Sequence, residues 1–214
     1  MYRRYLSALI AGDRRRCLQI VGALLESRVD IKGLYIGLFQ RSLYEVGDLW
    51  ERREVSVAVE HLATAITDCA LNMVHPILFA REHRGSSAVI SCVVNEFHQI
   101  GGKIVADYLE LHGWNGYFLG ANSPVDDLVD FVRKKSPNLV GLSVSLDSHL
   151  VPLGQVLDRL AAEYPSLPVL VGGQAFRHGG SDMLSSYPRA SYIASLDELD
   201  EYLAARQATE GTRV

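Results

Sequence analysis

One stretch decides the fold of this chain, AVISCVVNEFHQIGGK at residues 88–103. Residues 88–94 form an apolar run that predicts a buried β-strand, and residues 104–112 follow with helical spacing. Between them lies a polar loop that contains His98, and Gly101-Gly102 opens the helix. This order is typical of an open parallel α/β sheet, whose ligands bind at the carboxyl ends of the strands. The stretch therefore predicts the first strand, a ligand-binding loop and the first helix of such a sheet.

The rest of the C-terminal part repeats this alternation. Further strands are predicted at 116–119, 139–145, 168–171 and 191–194, and helices near 101–112, 124–135, 150–163, 181–186 and 197–206. The segment Asn122-Ser123-Pro124 follows the second strand and is interpreted as the cap of the next helix. Such alternation predicts an α/β fold in which helices cover both faces of a parallel sheet. Five strands fit the doubly wound, flavodoxin-like order.

The N-terminal part has helical spacing and almost no strand pattern. Asp13 is a predicted N-cap, and the helical pattern restarts at Asp30. Apolar residues from Val55 to Ile77 recur at steps of three and four, which predicts one long helix. Four such helices make a small bundle. The sequence therefore predicts a four-helix bundle at residues 1–84, followed by the α/β domain at residues 85–214.

Composition narrows the classes of function. The chain has 214 residues and a formal net charge of −4, which provides no electrostatic footprint for direct nucleic-acid binding. Its three cysteines are far apart and each lies in an apolar run, which favours buried thiols over a disulfide framework. The N-terminus does not read as a signal peptide, and no apolar run is long enough to cross a bilayer. We therefore expect a cytoplasmic protein without membrane contact.

The polar loop carries the main candidate residues. His98 can reach out of the sheet toward a metal, and Glu96 can hydrogen-bond its other ring nitrogen. The pattern Glu96-x-His98-x-x-Gly101 resembles the D/E-x-H-x-x-G signature of cobalamin-binding domains, with Glu where Asp is usual. The resemblance implies that His98 is the lower axial ligand of cobalt and that the nucleotide tail of the cofactor enters the sheet domain. In an ordinary flavodoxin-like loop the same histidine would be a capping or core residue.

Two later elements match the same family. Ser143 corresponds to the serine of its S-x-L element, which implies a hydrogen bond to the displaced benzimidazole, and Ser145 stands where leucine is usual. Gly172-Gly173 corresponds to a double glycine against which the nucleotide tail lies. Taken alone, strand-end serines also cap loops and paired glycines also form turns.

The bundle adds a second resemblance. Trp50 and the pair Glu60-His61 reproduce the W-x(9)-E-H pattern of cobalamin-dependent light sensors. The resemblance implies that these side chains line the pocket above the corrin ring, around an adenosyl group. In photoreceptors that switch oligomeric state a histidine follows this tryptophan, whereas Glu51 follows it here, so that position supplies no upper histidine ligand. The alternative is a core tryptophan beside a solvated Glu-His pair.

The remaining histidines show no metal-ligand spacing and are interpreted as surface or capping residues: His75, His83, His112, His149 and His178.

The resemblance implies a cobalamin sensor, in particular a light-responsive regulator that is not itself an enzyme. Adenosylcobalamin is the expected cofactor, with hydroxo- or methylcobalamin as alternatives. Because the bundle begins almost at residue 1, we expect no DNA-binding helix-turn-helix before it, and we expect output through a regulatory protein partner or self-association. The alternative function is a corrinoid methyl carrier of a methyltransferase system, which joins the same two domains. Such carriers typically have Asp before the histidine and lack the Trp and Glu-His set.

Overall fold

The computed structural model describes residues 1–80, 82, 83 and 85–211. The chain divides into two compact units, Met1–Glu82 and His83–Val214. Each unit buries its own set of apolar side chains. No helix in the described part of the chain is both long and apolar enough to span a membrane.

The N-terminal unit is helical, as predicted. Its elements are α1 (Tyr2–Ile10), α2 (Arg14–Glu26), α3 (Ile31–Leu34), a π-helical segment (Tyr35–Gln40), α4 (Arg41–Glu51), α5 (Val57–Asn72) and α6 (His75–Leu78). The aromatic rings of Tyr5, Tyr35 and Phe39 are fully buried. The Phe39 ring centroid lies 6.2 Å from that of Tyr5 and 6.0 Å from that of Tyr35. This aromatic group forms the centre of the bundle core.

The predicted cap of α2 is confirmed, and the structure shows a cap of the same kind on α3. The Asp13 carboxylate accepts a hydrogen bond from the backbone N–H of Arg16 at 2.9 Å, and Asp30 accepts one from Gly33 at 2.7 Å. Each carboxylate thus satisfies a backbone donor that has no partner within its helix.

The single helix predicted from Val55 to Ile77 is wrong in its extent. Helix α5 ends at Asn72, and α6 begins at His75 with Pro76 in its first turn. Proline has no N–H to donate to the carbonyl of Asn72, and its ring would clash with that carbonyl. The apolar spacing continues through Pro76, but the helix cannot.

The C-terminal unit contains five parallel strands in the order β2-β1-β3-β4-β5. The strands are β1 (Ser87–Cys92), β2 (Asn115–Phe118), β3 (Leu139–Ser143), β4 (Val169–Gly172) and β5 (Ala190–Tyr192). The helices are α7 (Ile100–Leu111), α8 (Val125–Lys135), α9 (Leu150–Glu163) and α10 (Leu196–Gly211). Three 3₁₀ segments lie at Asp147–His149, Gln174–His178 and Ser181–Ser186. This is the predicted flavodoxin-like order.

The sheet core explains the apolar runs of the central strands. All five residues of β3 are buried, as are five of the six residues of β1, because helices cover both faces. On one face, strand residues Val89, Leu142 and Val171 belong to a buried cluster with apolar residues of α8 and α9. Strands β1 and β3 are neighbours in the sheet. The chain passes from β1 to β2 on one side of this pair and from β3 to β4 on the other side. Their carboxyl ends therefore form the switch point at which ligands bind in such folds.

Four strands end earlier than predicted, and β2 and β5 do so at Phe118 and Tyr192. Strand β1 ends at Cys92 rather than Val94, because the backbone N–H of Glu96 bonds the carbonyl of Val93 and closes a turn. Strand β3 ends at Ser143 rather than Ser145. The residues beyond the ends of β1 and β3 belong to loops at the switch point.

Candidate functional site

The loop that carries His98 is fastened to the loop after β2. The backbone N–H of Asn95 donates to the Asn122 side-chain oxygen at 2.8 Å, and the backbone N–H of Asn122 donates to the carbonyl of Glu96 at 2.9 Å. Both asparagines have positive φ angles, 66° and 52°. Asn122 therefore shapes the His98 loop. The segment Asn122-Ser123-Pro124 was interpreted as the cap of α8. The N-cap residue is Pro124, which makes no side-chain hydrogen bond to the helix, so the predicted side-chain cap is wrong.

Glu96 lies at the centre of the site and is fully buried. Its Oε1 accepts hydrogen bonds from the backbone N–H of His98 at 2.9 Å and from His98 Nδ1 at 2.6 Å. Its Oε2 accepts from the backbone N–H of Ser145 at 2.7 Å and from His149 Nδ1 at 2.9 Å. These four donors use the full acceptor capacity of a carboxylate.

The hydrogen bonds decide the charge of Glu96. Burial alone would raise the pKa of this carboxyl, because it penalises the ionised form. The hydrogen bonds from the His98 and His149 rings and from two backbone N–H groups outweigh burial and lower the pKa to about 2. A buried carboxylate therefore stands between two imidazole rings.

The Glu96 contact also sets the tautomer of His98. Because an ionised carboxylate oxygen can only accept, Nδ1 is the donor in this 2.6 Å contact, and Nε2 is the ring nitrogen left to act as a metal ligand. Half of the His98 side chain, 53%, is exposed. A carboxylate on one ring nitrogen is the arrangement that orients a ligating histidine.

The donor set fits a metal that is already held by a macrocycle. No group of three or more His, Cys, Asp and Glu side chains able to hold a metal ion occurs among the residues that the structure describes. A single imidazole suits a metal whose equatorial positions a corrin ring fills. The exposed large apolar side chains of the described sheet unit are Phe97, Leu146 and Val151, all in or next to the loops after β1 and β3. Phe97 adjoins His98 in the sequence, and Leu146 adjoins Ser145, whose backbone N–H bonds Glu96.

Comparison with known families decides what this site belongs to. Residues 86–201 match the family described as B12 binding domain, and residues 1–74 match a second family with the same description. This chain belongs to the B12-binding domain family. Membership implies a corrinoid cofactor, and it confirms the cobalamin family that the sequence resembles.

Relatives of this B12-binding chain include transcriptional repressors and corrinoid proteins. The HTH-type transcriptional repressor CarH of Myxococcus xanthus is 30% identical over 174 residues, which are 80% of this chain and 57% of CarH. The chain thus spans little more than half of the length of that repressor. Trimethylamine corrinoid protein 1 of Methanosarcina acetivorans is 21% identical over 184 residues, which are 84% of this chain and 85% of that protein. The structure of the Methanosarcina barkeri monomethylamine corrinoid protein matches with a TM-score of 0.80, at 16% identity, over 94% of this chain and 96% of that one, which shows a shared fold.

Ser143 and Gly101 meet at the edge of the sheet where β1 and β3 end. Ser143 is the last residue of β3, is buried, and lies in register between Cys92 of β1 and Gly172 of β4. A methyl group on Gly101 would lie 3.8 Å from the Ser143 hydroxyl, and one on Gly102 would lie 3.1 Å from the Phe118 ring. The paired glycines therefore let the first turn of α7 approach the ends of the strands.

Ser145 contributes through its backbone. Its N–H donates to Glu96 Oε2 at 2.7 Å, a bond that any residue except proline could make. The Ser145 hydroxyl is not needed for this contact.

The double glycine has a packing role of its own. Gly173 has a φ of 117°, and a methyl group on it would lie 2.0 Å from the carbonyl oxygen of Val144. A methyl group on Gly172 would lie 3.1 Å from the carbonyl oxygen of Ile193. The backbone around β4 therefore requires glycine at position 173, and the role of both glycines toward a nucleotide tail stays a prediction.

His149 was missed by the sequence analysis. Its interpretation as a surface residue is wrong, because its side chain is only 13% exposed and its Nδ1 contacts Glu96. It is the N-cap residue of α9, but its side chain makes no cap hydrogen bond. Its position shortly after β3 could have indicated this contact, because the carboxyl ends of neighbouring parallel strands lie at the same edge of the sheet. His83 and His112 also pair with carboxylates, those of Glu110 at 3.3 Å and Asp200 at 3.2 Å. The side chain of His178 lies outside the described part of the chain.

The bundle motif lies on α4 and α5. Trp50 is 46% exposed, so the alternative that it is a core tryptophan is wrong. The His61 side chain is 75% exposed and that of Glu60 is 21% exposed. Glu60 accepts a hydrogen bond from the Thr64 hydroxyl at 3.1 Å, and His61 Nε2 lies 3.5 Å from its other oxygen. The N-terminal unit thus presents a large aromatic surface that its own core does not use.

Proposed function

We propose that this protein is a cobalamin-binding sensor that responds to light and signals through a protein partner or by self-association. The observation that carries the proposal is the exposed Trp50, together with Glu60 and His61 on the neighbouring helix. An indole face suits packing on a nucleoside, and a carboxylate can accept hydrogen bonds from ribose hydroxyls. The identity with CarH, at 30%, supports the same class.

The proposed roles differ between the residues of the sheet unit and those of the helical unit. On the sheet unit, His98 is the proposed lower ligand and Glu96 holds its ring. When bound, adenosylcobalamin supplies a cobalt–carbon bond that light can break. A ligand biases two states of a protein only through contacts that differ between them. Trp50 and Glu60 are therefore the proposed residues through which the protein distinguishes the presence of an adenosyl group from its absence.

A corrinoid methyl carrier is the second candidate function. The match to trimethylamine corrinoid protein 1 extends over 85% of that protein, far more than the 57% of CarH. A carrier must leave the upper face of its cofactor open to a methyl donor. A cap of Trp50 and Glu60 would instead favour a larger upper ligand.

Light-dependent assembly separates the two candidates. Protein loaded with adenosylcobalamin in the dark would be analysed by gel filtration before and after green light, alone and with candidate partners. We expect a change in elution volume or partner binding in the wild type and a smaller change in Trp50→Ala. Hydroxocobalamin, which has no adenosyl group, should produce no change.

Phe79→Ala is the matched control variant, because Phe79 is an aromatic residue of the same unit that is 60% exposed and lies outside the motif. It should behave as the wild type. Identical behaviour in the dark and in the light would contradict the sensor, and methyl transfer from a methyltransferase would then establish the carrier.

A further inference from the structure

A buried carboxylate lies at the opposite edge of the sheet, where β1 and β2 begin. Glu110 is near the end of α7, and its side chain is 10% exposed. Its Oε1 accepts a hydrogen bond from the backbone N–H of Gly116 at 2.7 Å. Its Oε2 is buried and accepts no hydrogen bond of regular geometry in the described part of the chain. Buried polar atoms are rarely left without a partner, so this oxygen requires an explanation.

The ring of His83 lies between this oxygen and a second acceptor. His83 Nε2 is 3.3 Å from Glu110 Oε2, and His83 Nδ1 is 2.6 Å from the side-chain oxygen of Asn115. A separation as short as 2.6 Å fits an N–H group that donates to an oxygen. Glu110 from α7 and Asn115 from β2 are the polar partners of this ring among the described residues. An acceptor therefore faces each of the two ring nitrogens.

The number of protons on the His83 ring decides how well it fits between these acceptors. A neutral imidazole has one N–H donor and one lone pair, whereas an imidazolium has two donors. With its single proton on Nδ1, the neutral ring turns the lone pair of Nε2 toward a carboxylate that can only accept. The imidazolium instead donates to both Asn115 and Glu110, and its charge is opposite to that of the carboxylate. Histidine is the side chain that gains this proton between about pH 8 and pH 5.

His83 is also placed where the chain enters the sheet unit. The helical unit ends at Glu82, and His83 is the first residue of the sheet unit. Farther along, the carbonyl of Ser86 accepts from the backbone N–H of Asn115 at 2.9 Å, a bond between backbone groups that do not titrate. Between the two contacts, Gly85 has a φ of 84°, and a methyl group on it would meet nothing within 4 Å. The His83 ring therefore extends the attachment of the chain from Ser86 back to residue 83.

We propose that His83 is a proton-dependent tether, whose imidazolium holds the chain between the two units against Glu110 and Asn115 and whose neutral ring releases it. After release the firm attachment begins at Ser86, so the segment that joins the units gains the freedom of residues 83–85. A proton can shift this equilibrium because its contact with Glu110 exists in one state and not in the other. The tether lies at the amino ends of the strands, whereas His98 lies at their carboxyl ends. It adds acidification as a signal that the proposed function does not include.

A nitroxide label at position 82 would report the state of the tether in the full chain. Glu82 is exposed and directly precedes His83, so the mobility of a label on Glu82→Cys depends on whether His83 is held. Cys69, which is partly exposed, would be replaced by serine, and the other two cysteines are buried. We expect the electron paramagnetic resonance spectrum to contain an immobilised component at about pH 5.5 that is lost at about pH 8. A label on Gln19→Cys, an exposed position of α2, should give the same spectrum at both pH values.

Glu110→Gln distinguishes the proton from a simple packing contact. Because the N–H of Gly116 faces Oε1, the glutamine amide directs its oxygen there and its NH₂ group toward His83. That NH₂ group can donate to the lone pair of the neutral ring. The immobilised component should therefore persist at about pH 8 in Glu110→Gln, whereas the matched control Glu163→Gln, a surface residue, should lose it as the wild type does.

Two further variants test the ring and its second acceptor. His83→Ala should give a mobile label at both pH values. Asn115→Asp, whose oxygens only accept, should keep the pH dependence of the wild type. Loss of that dependence in Asn115→Asp would show that the Asn115 amide donates to the ring and would overturn the proposal.

The remaining outcomes are equally decisive. A wild-type spectrum that is the same at both pH values would overturn the proposal, and so would an immobilised label in His83→Ala or a mobile label at the higher pH in Glu110→Gln. Circular dichroism would verify the fold of each variant. If Glu110→Gln does not fold, the wild type and His83→Ala decide, because the His83 side chain is 33% exposed and can be removed without opening the core. The measurement requires no cobalamin, so its result does not depend on the proposed function.

Discussion

The change Glu96→Gln tests whether the buried carboxylate is held as the structure shows. The pKa of Glu96 is about 2, compared with 4.5 for an ordinary glutamate. That difference corresponds to roughly 3 kcal/mol, since one pKa unit is worth about 1.4 kcal/mol. Because the pKa is lower in the folded state, this stabilisation is fully present above about pH 4.5 and is lost as the pH falls toward 2. Glutamine cannot provide it at any pH, because its amide carries no charge.

Urea unfolding of the cofactor-free protein between pH 7 and pH 3 would measure this contribution. The chain has two tryptophans, and Trp114 is buried in the sheet unit, so its fluorescence reports that unit in a Trp50→Phe background. At pH 7 the free energy of unfolding should be about 3 kcal/mol higher with Glu96 than with glutamine. At pH 3 the difference should have narrowed by about 2 kcal/mol, because the unfolded chain already binds the proton there.

Glu163→Gln provides the matched control for this experiment. Glu163 also has a lowered pKa, because of its hydrogen bonds with Arg159 and Arg133, but it lies on the surface. Solvent screens such pairs, so Glu163→Gln should leave the pH dependence nearly unchanged. If the difference in the free energy of unfolding between the wild type and Glu96→Gln stays constant from pH 7 to pH 3, the four-donor environment of Glu96 is refuted.

Three further predictions concern the same edge of the sheet. His98→Ala should keep the fold by circular dichroism but lose hydroxocobalamin on gel filtration, and undiminished retention would show that His98 is not the ligand. Gly173→Ala should lower the free energy of unfolding of the cofactor-free protein by more than about 2 kcal/mol, because its methyl group would collide with Val144 at a positive φ; wild-type stability would contradict this packing role. Asn122→Ala should weaken cobalamin retention by about tenfold, because the Asn95 loop loses its anchor. Asn122→Asp, which keeps the acceptor oxygen, should recover most of it, and equal weakening in both variants would contradict the anchor.

Local signals predicted much of the fold correctly. The cap at Asp13 depends on a backbone N–H group only three residues away, so its partner can be read from the sequence. The five parallel strands follow from the alternation of apolar runs and helical spacing, which reflects burial on both faces. The helix through Pro76 was predicted wrongly. Apolar periodicity indicates which face of a helix is buried, but it does not indicate whether the backbone can keep its helical hydrogen bonds past a proline.

In the candidate site too, contacts between residues close in the sequence were predictable and contacts between distant residues were not. Glu96 and His98 lie two residues apart in one loop, so their contact could be anticipated from the motif. The His149 contact joins residues 53 positions apart, and no spacing rule connects them. The exposed Trp50 illustrates the same limit, because helical spacing does not say whether an aromatic residue at a helix end is buried.

The sequence by itself therefore determined the two-part architecture, the family and the histidine that is the candidate cobalt ligand. The tertiary structure alone decided which groups complete the Glu96 carboxylate. Helical crossovers place β1 and β3 side by side, and this brings the backbone of Ser145 and the ring of His149 to the second carboxylate oxygen. A buried carboxylate must be satisfied by the donors that surround it, and a neighbouring strand supplies those donors from a distant part of the chain.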